Sequence, residues 1–90
     1  MNNINTPQNL KLVGFYESRT GRWYVTEDRA WKVRLNNDNE ATAIRDGREV
    51  YRLVGDTAYN SRTGSPVNPE LNIHRDIAAM VNQARRAERR

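Results

Sequence analysis

The sequence predicts an α+β fold: a small twisted antiparallel sheet of about five to six strands, able to curl toward a barrel, packed by one C-terminal helix. Three observations lead there. Residues 10–67 form a series of short runs rich in β-branched and aromatic residues, separated by turn-forming residues. In residues 68–90 the apolar positions fall instead at helical spacing. The tetrapeptide Ser-Arg-Thr-Gly also occurs twice, at 18–21 and 61–64, each time two residues after a tyrosine. The expected organisation is a flexible N-terminal arm at 1–9 and a single small domain at 10–90, divided into a β region at 10–67 and a helix at 68–90.

The arm, MNNINTPQN, is polar and aperiodic, with little to bury. The strands begin with LKLVGFYES, RWYVTE and AWKVRLN. In the third run Trp31, Val33 and Leu35 alternate with Lys32 and Arg34, which is the period-two pattern of a strand with one wet face. NNDNE, residues 36–40, reads as a loop. ATAIRD and REVYRLVG are joined through Asp46-Gly47, a pair that tolerates the positive φ angles of a type I′ hairpin turn. TAYNS is a shorter extended piece leading into the second Ser-Arg-Thr-Gly.

The repeat extends beyond its tetrapeptide. Residues 11–25 and 52–67 both read basic-Leu-Val-Gly, then Tyr-x-Ser-Arg-Thr-Gly, then Val. Two copies suggest related hairpins in one sheet; a solenoid needs about three or more. The expected turn uses the serine hydroxyl at its start. Gly21 and Gly64 supply the left-handed residue that closes a type I turn with a G1 bulge. Arg19 and Arg62 would then stand at the turn tips and offer donors to phosphates. Pro66 cannot donate to a ladder and marks an edge strand or a strand end. In the first copy Arg22, Trp23 and Tyr24 follow the turn. Trp23 and Tyr24 must face opposite sides of a strand, so one ring is expected in solvent beside Arg22.

The helix can start at Asn68-Pro69, a capping residue followed by proline, or later with Asn72 as the cap. Ile73, Ile77, Met80, Val81, Ala84 and Ala87 make one apolar stripe. Arg75, Arg85, Arg86, Arg89 and Arg90 fall on the far side. Cations in the last turn suit the helix dipole, but the dipole does not account for Arg75 or for the density of arginine at the end.

Composition limits the chemistry. The chain has fifteen basic and eleven acidic residues, a net charge of +4, and only Lys11 and Lys32 among the basic residues are lysine. Arginine presents a planar fork of donors suited to phosphate and carboxylate. There is no cysteine, so no disulfide or thiolate site forms. No apolar run approaches the roughly 20 residues of a membrane span, and no signal-like segment opens the chain. These features fit a cytoplasmic protein. His74 is a lone histidine, expected at the surface, without companions for a metal site. No phosphate-binding glycine loop is present. Glu27-Asp28 and Asp38-x-Glu40 read as turn chemistry. No catalytic, cofactor or metal site is predicted; a small basic ribonuclease is the one enzyme class that size and charge admit.

The functional expectation is a small basic, non-enzymatic, nucleic-acid-binding or transcription-associated protein. Its binding residues would be Arg19, Arg22, Trp23, Arg62, Arg75, Arg85, Arg86 and Arg89. The alternative is an adaptor or inhibitor of a nucleic-acid machine, encoded by a mobile genetic element, whose basic surface meets an acidic protein. A further alternative is a homo-oligomeric structural component, such as a homodimer joined by the helix or an edge strand.

Overall fold

Six strands and one helix follow one another in the order the sequence predicts: β1 (Leu12–Ser18), β2 (Gly21–Thr26), β3 (Trp31–Leu35), β4 (Glu40–Arg45), β5 (Arg48–Val54), β6 (Thr57–Asn60) and α1 (Asn72–Glu88). The structure, a computed structural model, describes residues 10–89. The predicted arm at 1–9 and Arg90 lie outside the described residues. The strands form one antiparallel sheet in the order β1-β2-β3-β4-β5-β6, a pure meander in which each strand pairs with its sequence neighbours. The sheet does not close into a barrel, so β1 and β6 are its edges.

Turn chemistry sets the register. Asp46 (φ 51°) and Gly47 (φ 84°) join β4 to β5 with both central residues at positive φ, as a type I′ turn requires. Gly55 (φ 61°) and Asp56 join β5 to β6, with only the glycine at positive φ, as in a type II′ turn. Gly21 (φ 124°) and Gly64 (φ 78°) are both at positive φ, as expected, yet their turns differ. Ser18 pairs directly with Gly21 across the two-residue turn Arg19-Thr20, with no register shift, so the expected G1 bulge is absent. The Ser18 hydroxyl accepts from the Thr20 amide at 3.2 Å. In the second copy Gly64 N–H donates to the Asn60 carbonyl at 2.7 Å, closing a longer loop. There Asn60 Oδ1, not the serine, accepts from the amides of Arg62 and Thr63.

The Leu-Val-Gly segments differ more. Leu12-Val13-Gly14 lies inside β1, where a bulge falls between Leu12 and Gly14. Leu53-Val54-Gly55 ends β5 and enters a turn. The first copy therefore spans one hairpin. The second spans the end of one strand, all of the next and two turns. The copies share a tetrapeptide ending in a positive-φ glycine, and neither a hairpin unit nor one turn geometry.

One face of the sheet carries the core. Tyr24, Trp31, Val33, Ala41, Ala43, Leu53 and Ala58 pack against Ile77, Met80, Val81 and Ala84 of α1, and Trp31 stacks on Tyr51 at 6.4 Å between centroids. The alanines of β4 and β6 leave room for the helix to approach closely. Burying side chains such as Ile77 and Val33 contributes about 1.5–3 kcal/mol each, and a domain this small needs those contributions. The expected apolar stripe is thus the buried face of α1 from Ile77 to Ala84, with Ile73 at its margin, whereas Ala87, expected to extend it, is exposed.

The start of the helix differs from the expectation. Asn68-Pro69 forms a turn, in which Asn68 Oδ1 accepts from Glu70 N–H and the Asn68 carbonyl accepts from Leu71 N–H. The N-cap residue is Leu71, without a side-chain cap, and Asn72 is already helical. His74 is buried rather than superficial. Its Nε2 accepts the Ala58 amide at 3.2 Å and ties the first helical turn to β6. Pro66 forms an isolated bridge with Tyr59 along the outer side of β6, in keeping with a strand end.

Candidate nucleic-acid interface

The β1–β2 turn and the last turns of α1 meet at one corner. Thr20, Gly21, Arg22 and Tyr24 share a cleft with Arg34, Leu35, Arg52 and Glu88. This cleft opens because the β2–β3 ladder holds only Tyr24↔Val33 and Val25↔Lys32 and stops short of Arg22 and Leu35. On one side of the helix end, Arg85, Glu88 and Arg89 face the β3–β4 loop at Asn37 and Asp38. On the other side, Gln83, Arg86 and Ala87 line a groove with Leu12, Gly14, Phe15 and Tyr24.

A clasp of four side chains holds the corner together. Arg22 Nε donates to Glu17 Oε2 at 2.8 Å, and Arg22 Nη1 donates to Glu88 Oε2 at 3.0 Å. The Tyr24 hydroxyl donates to the same Glu88 oxygen. The Glu17 hydrogen bond is the main reason the Arg22 guanidinium holds its proton more firmly than usual. Burial chiefly, and Glu88 in addition, raises the Tyr24 phenol. The Tyr24 hydroxyl and the neighbouring Arg22 hold Glu88 below the ordinary carboxylate range, against the opposing effect of burial. Arg22 also lies over the Phe15 ring, 4.3 Å from its centroid.

Four of the eight expected binding residues line the clefts of this corner, Arg22 on β2 and Arg85, Arg86 and Arg89 at the helix end, and Arg19 lies in the β1–β2 turn next to Thr20, which lines the first cleft. Arg86 and Arg89 are exposed, but Arg85 is not fully so. Its Nε and Nη2 are buried and have no hydrogen-bond partner among the described residues. Arg62 and Arg75 stand apart. Arg62 sits in the turn after β6, at the opposite edge of the sheet and at the opposite strand end from Arg19. The two arginine-tipped turns therefore occupy diagonal corners and do not form one matched pair of donors. Arg75 lies in the first helical turn, beside the His74 that is tied to β6.

The expected exposed ring beside Arg22 is also absent. Trp23 and Tyr24 do face opposite sides, yet both are buried, at 7% and 4% exposure. Tyr24 joins the core. Trp23, on the open face, donates through Nε1 to the Thr20 hydroxyl at 2.9 Å and lies beneath Arg34, 4.8 Å from its ring centroid. The exposed rings are Phe15 and Tyr16 on β1. Glu88 was not among the sequence-predicted residues. The signal available was its position as the lone acid in the run ARRAERR, but its partner Arg22 lies 66 residues away.

Among the described residues no group of three or more His, Asp or Glu side chains is placed to hold a metal ion, and no helix is long and apolar enough to cross a membrane. Comparison with known protein families, characterised proteins and solved structures returns no significant match.

Proposed function

We propose that this is a small non-enzymatic nucleic-acid-binding protein that grips a phosphate backbone with the corner formed by the β1–β2 turn and the end of α1. The supporting observation is that the Arg22–Glu88 pair joins the β1–β2 hairpin, whose turn carries Arg19, to the end of α1, which carries Arg85, Arg86 and Arg89, although the paired residues are 66 apart in sequence. Arg22 is neutralised by Glu17 and Glu88 and acts as a brace that positions the turn against the helix. Trp23 is buried and the exposed rings of Phe15 and Tyr16 already carry Arg22 and Lys32 at 4.3 and 5.3 Å from their centroids, so the corner suits the continuous backbone of a duplex better than unstacked single-stranded bases. A cysteine-free chain is compatible with a cytoplasmic setting.

The test is binding of a duplex oligonucleotide at several salt concentrations by the wild type and by Arg86→Glu/Arg89→Glu, with circular dichroism confirming the fold. Wild-type log affinity should fall with log salt by nearly one unit of slope per phosphate neutralised. The double reversal should weaken binding and flatten that slope. An unchanged slope refutes the assignment. The second reading is an acidic protein surface at the same corner, favoured by the mixture of arginines with Glu17 and Glu88. Under that reading the wild type binds duplex weakly from the start, and nuclease treatment of a lysate leaves partner capture intact.

A further inference from the structure

The two edges of the sheet are finished differently. On β6 the outward backbone is occupied: Ala58 N–H donates to His74, its carbonyl accepts from Val67, and the Asn60 N–H and carbonyl bond Ser65 and Gly64. On β1, among the described residues, only the beginning is occupied. Gln83 acts as a clip there, accepting from Leu12 N–H at 2.9 Å and donating to the Leu10 carbonyl at 3.1 Å. The residues flanking a two-residue hairpin turn are hydrogen-bonded to each other, and bonding toward the neighbour then alternates along the strand. Ser18, Tyr16 and Gly14 therefore bond β2, and Glu17 and Phe15 direct their N–H and C=O groups outward. The same stretch exposes Val13 (58%), Phe15 (53%) and Tyr16 (41%). A long edge with free backbone and exposed apolar side chains is a template for another strand, which folded proteins normally blunt.

We propose that this edge is covered by a second copy of the chain, with β1 pairing antiparallel to β1 about a two-fold axis through Phe15. The free stretch runs from Val13 to Glu17, bounded by the Gln83 clip and the Arg19-Thr20 turn, and Phe15 is its centre. That register joins the two Phe15 residues on the axis and sets Tyr16 of each copy opposite Gly14 of the other. Both residues lie on the open face, and the space beside Gly14 is empty, with nothing within 4 Å of where a Cβ would stand. A tyrosine ring fills such a gap over a strand glycine. Glu17 of each copy falls opposite Val13 and diagonal to Lys11 of the other, on the side where Arg86 lines the Phe15 groove. The acid at one end of the free edge thus meets the cations at the other, and the two-fold axis makes this contact twice.

Analytical ultracentrifugation of the full chain without nucleic acid tests the proposal separately from the proposed function. The wild type should show a concentration-dependent dimer. Glu17→Lys should weaken it about ten-fold or more, since two attractive contacts become repulsive, and Lys11→Glu in the same chain should recover part of the loss. The absence of cysteine provides a second measurement. Phe15→Cys should form a disulfide-linked dimer under mild oxidation, because paired Cα atoms about 5.5 Å apart fall within disulfide reach. Ala79→Cys, on the exposed side of α1, should not. A chain that remains monomeric at all concentrations, a dimer insensitive to Glu17→Lys, or equal cross-linking of the two cysteine variants would overturn the proposal.

Discussion

Replacing His74 with leucine isolates one hydrogen bond between the helix and the sheet. Leucine keeps much of the buried volume, but it offers no acceptor to Ala58 N–H, which His74 Nε2 accepts at 3.2 Å where both residues are buried. Accepting at Nε2 requires the neutral ring, with its proton on Nδ1. An amide left unpaired in that setting costs about 1–3 kcal/mol. In a domain of this size each kcal/mol lowers the melting temperature by about 4–8 °C, so the expected fall is about 4–24 °C. Thermal and urea unfolding give the magnitude. Amide hydrogen exchange gives the location, since Ala58 should lose protection more than the β3–β4 ladder. His74→Gln, which can present an oxygen to the same amide, should recover part of the loss. A leucine variant as stable as the wild type, with Ala58 still protected, would show that the bond contributes nothing net.

Gly21→Ala and Gly64→Ala should each destabilise the fold by about 1 kcal/mol or more, because a Cβ is disfavoured at positive φ. Space is not the reason at Gly64, where nothing lies within 4 Å of the added atom, so equal urea midpoints for that variant and the wild type would refute the backbone argument. Glu88 has its folded-state pKa depressed, chiefly by the Tyr24 hydroxyl with Arg22 beside it. That sign gives stability at pH values above the unfolded glutamate pKa of about 4.3, lost as the pH falls through the lower folded value. Urea midpoints followed from about pH 7 to about pH 3 should therefore fall less steeply for Glu88→Gln than for the wild type, and parallel slopes would count against the clasp.

The strands were legible because local chemistry and tertiary structure agree on them. Trp31, Val33 and Leu35 alternate in sequence and lie on one face in the structure. Asp46-Gly47 is a turn whatever surrounds it, because the pair accepts two positive φ angles. The stripe of Ile77, Met80, Val81 and Ala84 could only be a buried helix face. Legibility ended where a residue's role is set by a partner distant in the chain. Nothing near Arg22 indicates that Glu88 will hold it, and nothing near His74 indicates that it will reach the backbone of Ala58. Trp23 is hidden by Arg34 and Thr20, contacts that depend on strand pairing. The repeated Leu-Val-Gly misleads for the same reason: identical residues form a bulge within β1 and enter a turn after β5. The basic corner was half legible, since composition shows the arginines and only the topology separates Arg62 and Arg75 from the rest.

The position of α1 after all the strands has a consequence for biosynthesis. Three of the five largest fully buried side chains, Ile77, Met80 and Val81, belong to this helix. During translation the six strands leave the ribosome first, and their neighbour-to-neighbour pairing lets hairpins form early. The face bearing Trp31, Val33 and Leu53 nevertheless stays uncovered until residues 72–88 follow. A nascent chain paused near Val67 is a sheet with one greasy side and no partner for it, the kind of intermediate that chaperones hold and proteases remove. A premature stop anywhere before Ile77 is therefore expected to abolish soluble protein altogether, rather than to yield a weaker version of it.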